Sequence, residues 1–168
     1  MKWAVIVLIM FSLIGSMMWV MPTPRQRFQS KLRLDARKQG FQVSLARLKL
    51  PRAQGEMEGD ERSVPLYRYR RDNLERKERD NFVGWSVGRV NALANTGLPE
   101  GWSWINGEST LDSKRLEALR QWLETLSASV EAVESDAMHL ALYWREPEVP
   151  GALEALAQSA AQAVALKL

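Results

Sequence analysis

The chain has 168 residues and a mass of 19.1 kDa, the length of one ordinary domain. It contains 23 Lys and Arg residues and 20 Asp and Glu residues, which gives a net charge of +3. Because 46% of its residues are hydrophobic, disorder of the chain as a whole is excluded. Because it contains no cysteine and one histidine, disulfide frameworks, thiol nucleophiles, iron–sulfur clusters and two-histidine metal sites are excluded as well.

The sequence begins with an apolar stretch, residues 3–21, that contains no charged residue. As a helix it would be about 28 Å long, close to the ~30 Å hydrocarbon core of a bilayer. A cleaved signal peptide would need small residues at its cleavage site, and bulky residues and Pro22 stand there instead. We therefore expect an uncleaved transmembrane anchor over residues 1–21.

Basic residues are concentrated directly after this stretch, whereas Lys2 is the one basic side chain before it. The positive-inside rule then places the N-terminus outside and the main domain in the cytoplasm, which predicts a single-pass protein of the inner membrane. Thr23 and Pro24 are a good helix start, so residues 22–40 are expected to form a basic helix at the membrane surface. Its predicted contacts to lipid headgroups are Arg25, Arg27, Lys31, Arg33, Arg37 and Lys38. The alternative is a solvated basic face that acts only as a topology signal.

Residues 41–168 are expected to form one small domain. A leucine stripe predicts a helix from about residue 111, and Pro150 can open a final helix. Alternating apolar residues predict strands near residues 41–50, 64–71, 82–90 and 138–145. The expected fold is therefore α+β or small α/β: an N-terminal transmembrane helix followed by a four-stranded mixed sheet with helices packed mainly on one face.

The sequence contains no recognisable catalytic or cofactor motif. Asp136 and His139 would point to opposite faces of a strand, and no phosphate-binding loop or metal-ligand spacing occurs. Glu146 and Glu148 flank a proline in a turn, where both are expected to be exposed. We therefore predict no catalytic residue, no metal and no cofactor.

Aromatic residues give the main candidate for a ligand or partner platform: Trp102, Trp104, Tyr67 and Tyr69. The alternative is that they anchor the hydrophobic core. Tyr67 and Tyr69 alternate with Arg68 and Arg70, so on a strand the rings and the cations lie on opposite faces, and nucleic-acid binding is not expected.

The apolar stretch, the segment Pro24-Arg25-Gln26-Arg27 and Lys31 resemble YajC, the accessory subunit of the bacterial Sec translocase. This resemblance covers about forty residues and implies a small cytoplasmic β-rich domain after one span. The chain departs from the family where a glycine-rich strand motif is expected, because Phe41-Gln42-Val43-Ser44-Leu45 stands there.

These observations predict a single-pass, membrane-anchored, non-enzymatic adaptor or accessory subunit. Its expected partners are membrane lipids and another membrane or cytoplasmic protein. Two alternatives remain open: an anchored domain that faces the envelope side, and an enzyme of unrecognised type with a site around Trp102 and Trp104.

Overall fold

A computed structural model describes residues 2–20 and 22–168, with residues 16–20 described by their backbone alone. The chain divides into two compact units, one that ends at Lys31 and one that spans Leu32–Leu168. Helix α2, Pro24–Lys38, begins in the first unit and ends in the second.

The first unit contains helix α1, Lys2–Val20, and the start of α2. Helix α2 begins with a reciprocal cap: Gln26 N donates to Thr23 Oγ1 at 3.3 Å, and Thr23 N donates to Gln26 Oε1 at 2.9 Å. In α1 the apolar side chains described are exposed, with Trp3 at 80% and Phe11 at 71%.

Among residues 2–20 and 22–168, no helix combines the length and the apolar character that a bilayer crossing requires. The predicted transmembrane anchor at residues 1–21 is contradicted by this finding. The single-pass inner-membrane localisation, with the N-terminus outside and the main domain in the cytoplasm, is contradicted with it. The prediction rested on an apolar stretch from residue 3 to residue 21. Residue 21 lies outside the described residues.

The second unit is built on a six-stranded sheet with the strand order β1-β2-β6-β5-β3-β4. Every neighbouring pair is antiparallel. The strands are β1 Phe41–Lys49, β2 Glu61–Arg70, β3 Trp85–Gly88, β4 Ser103–Asn106, β5 Val130–Ser135 and β6 His139–Trp144. The helices that follow α2 are α3 Arg76–Asp80, α4 Ser113–Thr125 and α5 Ala152–Ala165.

The architecture is α+β, and the predicted four-stranded mixed sheet is wrong. Strand β4 was missed because it lies in a glycine-rich connection and its two apolar residues, Trp104 and Ile105, are adjacent and do not alternate with polar ones. Strand β5 was missed because its register shifts between Val130 and Ala132, which breaks the alternation of apolar and polar residues.

The main core fills the space between one face of the sheet and the helices. The sheet contributes buried side chains such as Phe41, Tyr67 and Leu142, and the helices contribute a stripe that includes Leu119 and Leu156. Spacings of three and four residues place this stripe on one side of α4 and α5, so its burial holds the helices against the sheet.

The opposite face of the sheet carries a smaller apolar cluster. Leu48, Val64 and Ala132 lie there with Leu50, which follows β1. A side chain at Gly88 would collide with Leu50, so the glycine allows the segment after β1 to lie close to β3.

Candidate functional site

A groove of about 380 Å³ opens where β6 ends, between the last turn of α4 and the first turns of α5. None of its lining side chains is charged. The apolar part of the lining includes Leu126, Val130, Trp144, Pro147, Val149 and Leu156. Such a surface can bind an apolar group, because it offers burial without requiring a charged partner.

Hydrogen bonds fix the walls of this groove. Trp144 Nε1 donates to Ser129 Oγ at 2.9 Å, which holds the indole ring in one orientation. Trp122 Nε1 donates to Ser159 O at 2.9 Å and so ties α4 to α5. Gly151, with φ of 77°, begins α5 in the left-handed region that favours glycine.

The loop beside the groove is anchored by the buried side chain of Glu146, which is 2% exposed. Its Oε1 accepts from Arg33 Nε at 2.6 Å and from Tyr67 Oη at 2.8 Å. Its Oε2 accepts from Arg33 Nη2 at 2.9 Å. The prediction that Glu146 is exposed is therefore wrong, because side chains from α2 and β2 cover it, while Glu148 is exposed as expected.

This cluster changes the ionisation of two of its members. Burial, followed by the hydrogen bond to Glu146, raises the pKa of Tyr67 well above its usual range. The hydrogen bond to Glu146 also raises the pKa of Arg33, against the smaller opposing effect of burial. Since both carboxylate oxygens of Glu146 are already occupied, the arrangement favours a structural role over proton transfer to a substrate.

A second buried carboxylate, Glu131, lies at the irregularity in β5 and is 4% exposed. Arg145 Nε donates to its Oε1. Arg62 Nε lies 3.1 Å from its Oε2, without the alignment of a hydrogen bond. The two guanidinium groups compensate the buried negative charge, which would otherwise be costly.

A third polar cluster surrounds Arg71, which is 3% exposed. Its Nη2 donates to Ser135 Oγ at 2.5 Å and to Leu168 O, and its guanidinium lies 4.9 Å from the centre of the Phe82 ring. Burial lowers the pKa of Arg71 to about 10. These contacts tie Leu168, three residues beyond the end of α5, to Arg71, which follows β2, and to Ser135 of β5.

The predicted headgroup contacts all lie in α2, and the structure gives one of them another role. Arg33 is half-buried and bonded to Glu146. Lys38 donates to Asp35 at 2.8 Å and is exposed, as is Arg37. In the first unit, Arg25, Arg27 and Lys31 are exposed. A contact of these residues with lipid remains a prediction.

The predicted aromatic platform is largely enclosed. Trp102 and Trp104 are each 3% exposed and Tyr67 is fully buried, whereas Tyr69 is half-buried against the core. Arg89 lies over the Trp102 ring at 4.6 Å, and Trp104 Nε1 donates to Thr96 O at 3.0 Å. Little of either indole ring is therefore left for a ligand or partner.

Within the residues that the structure describes, no group of Asp, Glu or His side chains could hold a metal ion. Sequence reasoning missed the groove altogether, since its wall residues come from separate segments. The two prolines that follow Trp144, Pro147 and Pro150, were the one signal that could have indicated it.

No protein-family model, curated protein or solved structure matches this chain. The resemblance of the first forty residues to YajC accordingly remains a prediction.

Proposed function

We propose that the chain is a non-enzymatic adaptor or accessory subunit whose second unit binds an apolar segment of a partner protein in the groove beside Trp144. The observation that carries this proposal is the uncharged lining of a groove with hydrogen-bonded walls. A preformed apolar groove binds a partner with little loss of its own conformational freedom, and that favours recognition.

A protein segment fits the groove better than a small apolar molecule. The apolar lining reaches the rim of the groove at Val149, which is 60% exposed. A small ligand that does not reach the rim would leave this side chain in water, whereas a longer segment would cover it. Exposed Glu148, between two lining residues, favours a segment that carries a basic residue beside its apolar anchors.

Two alanines of α5 allow a matched test. Ala155 lines the groove and is exposed, while Ala161 is exposed on the same helix but does not line it. Short peptides are selected from a random library for binding to the full chain, and their affinities are measured by fluorescence anisotropy. We expect apolar peptides whose binding A155R weakens by about tenfold or more and A161R leaves unchanged.

The same two positions test the proposal in cells. A photo-crosslinking amino acid at position 155 should capture one defined protein, identified by mass spectrometry, that position 161 does not capture. Equal effects of A155R and A161R on the selected peptides would refute the groove as the binding site. A selection that yields only charged peptides would refute the proposed chemistry.

A further inference from the structure

We propose that two copies of this chain pair through strand β1, antiparallel and centred on Leu45, so that their sheets become continuous. Strand β1 is one edge of the sheet and is nine residues long, whereas β4 at the other edge has four residues. This surface is separate from the groove, and the inference does not depend on the proposed function.

The direction of the main-chain groups in β1 follows from the hydrogen bonds at the ends of the ladders. Leu50 N donates to Asp60 O at 2.9 Å, in the register that pairs Lys49 with Glu61. Because alternate residues of an antiparallel strand point to opposite sides, the even-numbered residues of β1 bond to β2. The N–H and C=O groups of the odd-numbered residues therefore point away from the sheet.

Strand β2 agrees with this assignment. Arg71 N donates to Met138 O at 2.8 Å, in register with the pairing of β2 and β6. The odd-numbered residues of β2 therefore point to β6. Pro65, which has no N–H, lies opposite Leu45 and is not required to donate to β1.

Strand β1 lacks most of the features that keep an edge strand from pairing with another chain. Its pairing with β2 runs through nine residue pairs without a bulge, and β1 contains no proline. Its charged residues, Arg47 and Lys49, are both at its end, 3.7 and 3.6 Å from Glu61. At its centre, the apolar side chain of Leu45 is 69% exposed.

One antiparallel register pairs the full length of β1 with its copy and sets apolar Leu45 against itself. Only a two-fold axis at Leu45 pairs all nine residues and makes the outward-pointing residues face one another. Leu45 then lies opposite the partner's Leu45, and Arg47 lies opposite the partner's Val43. The two copies of Arg47 are about 14 Å apart along the strands, beyond the ~8 Å screening length at physiological salt.

Because the chain contains no cysteine, an introduced one reports this register directly. In the paired strands, Leu45 and its copy are about 5.5 Å apart between Cα atoms, within the range of a disulfide. Exposed Gln42 is the matched control, because its copies would be about 20 Å apart. We expect oxidised full-length L45C to form a covalent dimer and Q42C to remain uncrosslinked.

Charge reversal provides the second measurement. Full-length chain in a mild non-ionic detergent is analysed by sedimentation equilibrium over a concentration series. L45K and L45E should each weaken the dimer by about tenfold or more, since like charges would lie directly opposite, and an equal mixture should restore it. Because Leu45 is exposed, both substitutions should leave the fold of the single chain intact.

The proposal would be overturned by a monomer at every concentration, by a dimer unaffected by L45K, or by equal crosslinking of L45C and Q42C. Pairing of β1 with an extended segment of a different protein, in place of a second copy, would also overturn it. The variant A155R should leave the dimer intact, so failure of the groove proposal and failure of this one can be told apart.

Discussion

Replacing Glu146 by Gln tests the structural role assigned to the buried carboxylate. The substitution keeps the size of the side chain and one acceptor oxygen, to which Tyr67 can still donate. It removes the negative charge and turns an amide donor toward Arg33 Nη2, which now donates to Oε2 at 2.9 Å. The pair Arg33–Glu146 is thereby lost as an ion pair and as a two-point contact.

The expected cost follows from the exposure of the two partners. Removing one partner of a fully buried pair costs about 3–5 kcal/mol. The Arg33 side chain is 40% exposed and that of Glu146 is 0% exposed, so water can still solvate part of the guanidinium. We therefore expect a loss of about 2–3 kcal/mol in the free energy of unfolding.

Urea unfolding followed by circular dichroism measures this loss, and thermal unfolding should show a Tm lower by about 6–9 °C. The matched control is E148Q, which removes an exposed carboxylate two residues away and should change stability by less than about 0.5 kcal/mol. If E146Q and E148Q unfold at the same urea concentration, the anchoring role of Glu146 is refuted.

Two further predictions concern stability. Because the pKa of Tyr67 is raised in the folded state, its stabilising contribution is full below pH ~10 and is lost as pH rises toward the folded-state pKa. The difference in free energy of unfolding between the native chain and Y67F, measured in urea, should therefore shrink by up to about 1.4 kcal/mol per pH unit above pH 10. A difference that stays constant with pH would contradict the assignment. In thermal unfolding, G107A should destabilise the chain by about 1–3 kcal/mol more than G101A. Both glycines have positive φ (83° and 82°), but only a Cβ at position 107 would lie 2.8 Å from Trp85 Cβ. Equal losses of stability would show that this contact with Trp85 does not matter.

The elements that the sequence predicted are those with a clear period. Alternation located β1, β2, β3 and β6, and a leucine stripe located α4, where Leu119 and Leu123 are buried. Strands β4 and β5 carry no such signal, because the apolar residues of β4 are adjacent and β5 is irregular. Without them, neither the six strands nor their antiparallel order could be derived.

The candidate groove could not be predicted, for a related reason. Glu146 precedes a proline in a turn, which indicates an exposed side chain, yet its partners Arg33 and Tyr67 are 113 and 79 residues away in sequence. Only the folded chain brings Arg33 of α2 and Tyr67 of β2 to Glu146, which follows β6. The left-handed backbone at Glu146, with φ of 54°, is likewise invisible in the residue type.

The Glu146 anchor and the two proposed interaction surfaces make a joint prediction. Pro147 and Val149 line the groove and directly follow Glu146, so E146Q should free these residues to move and raise the entropic cost of ordering a bound segment. Strand β1 is held by its ladder to β2, which E146Q leaves unchanged. At a urea concentration where E146Q is still folded, it should therefore weaken peptide binding while the L45C crosslink persists. If E146Q weakens both equally, the two surfaces are coupled through the fold, and the local anchoring argued for Glu146 is wrong.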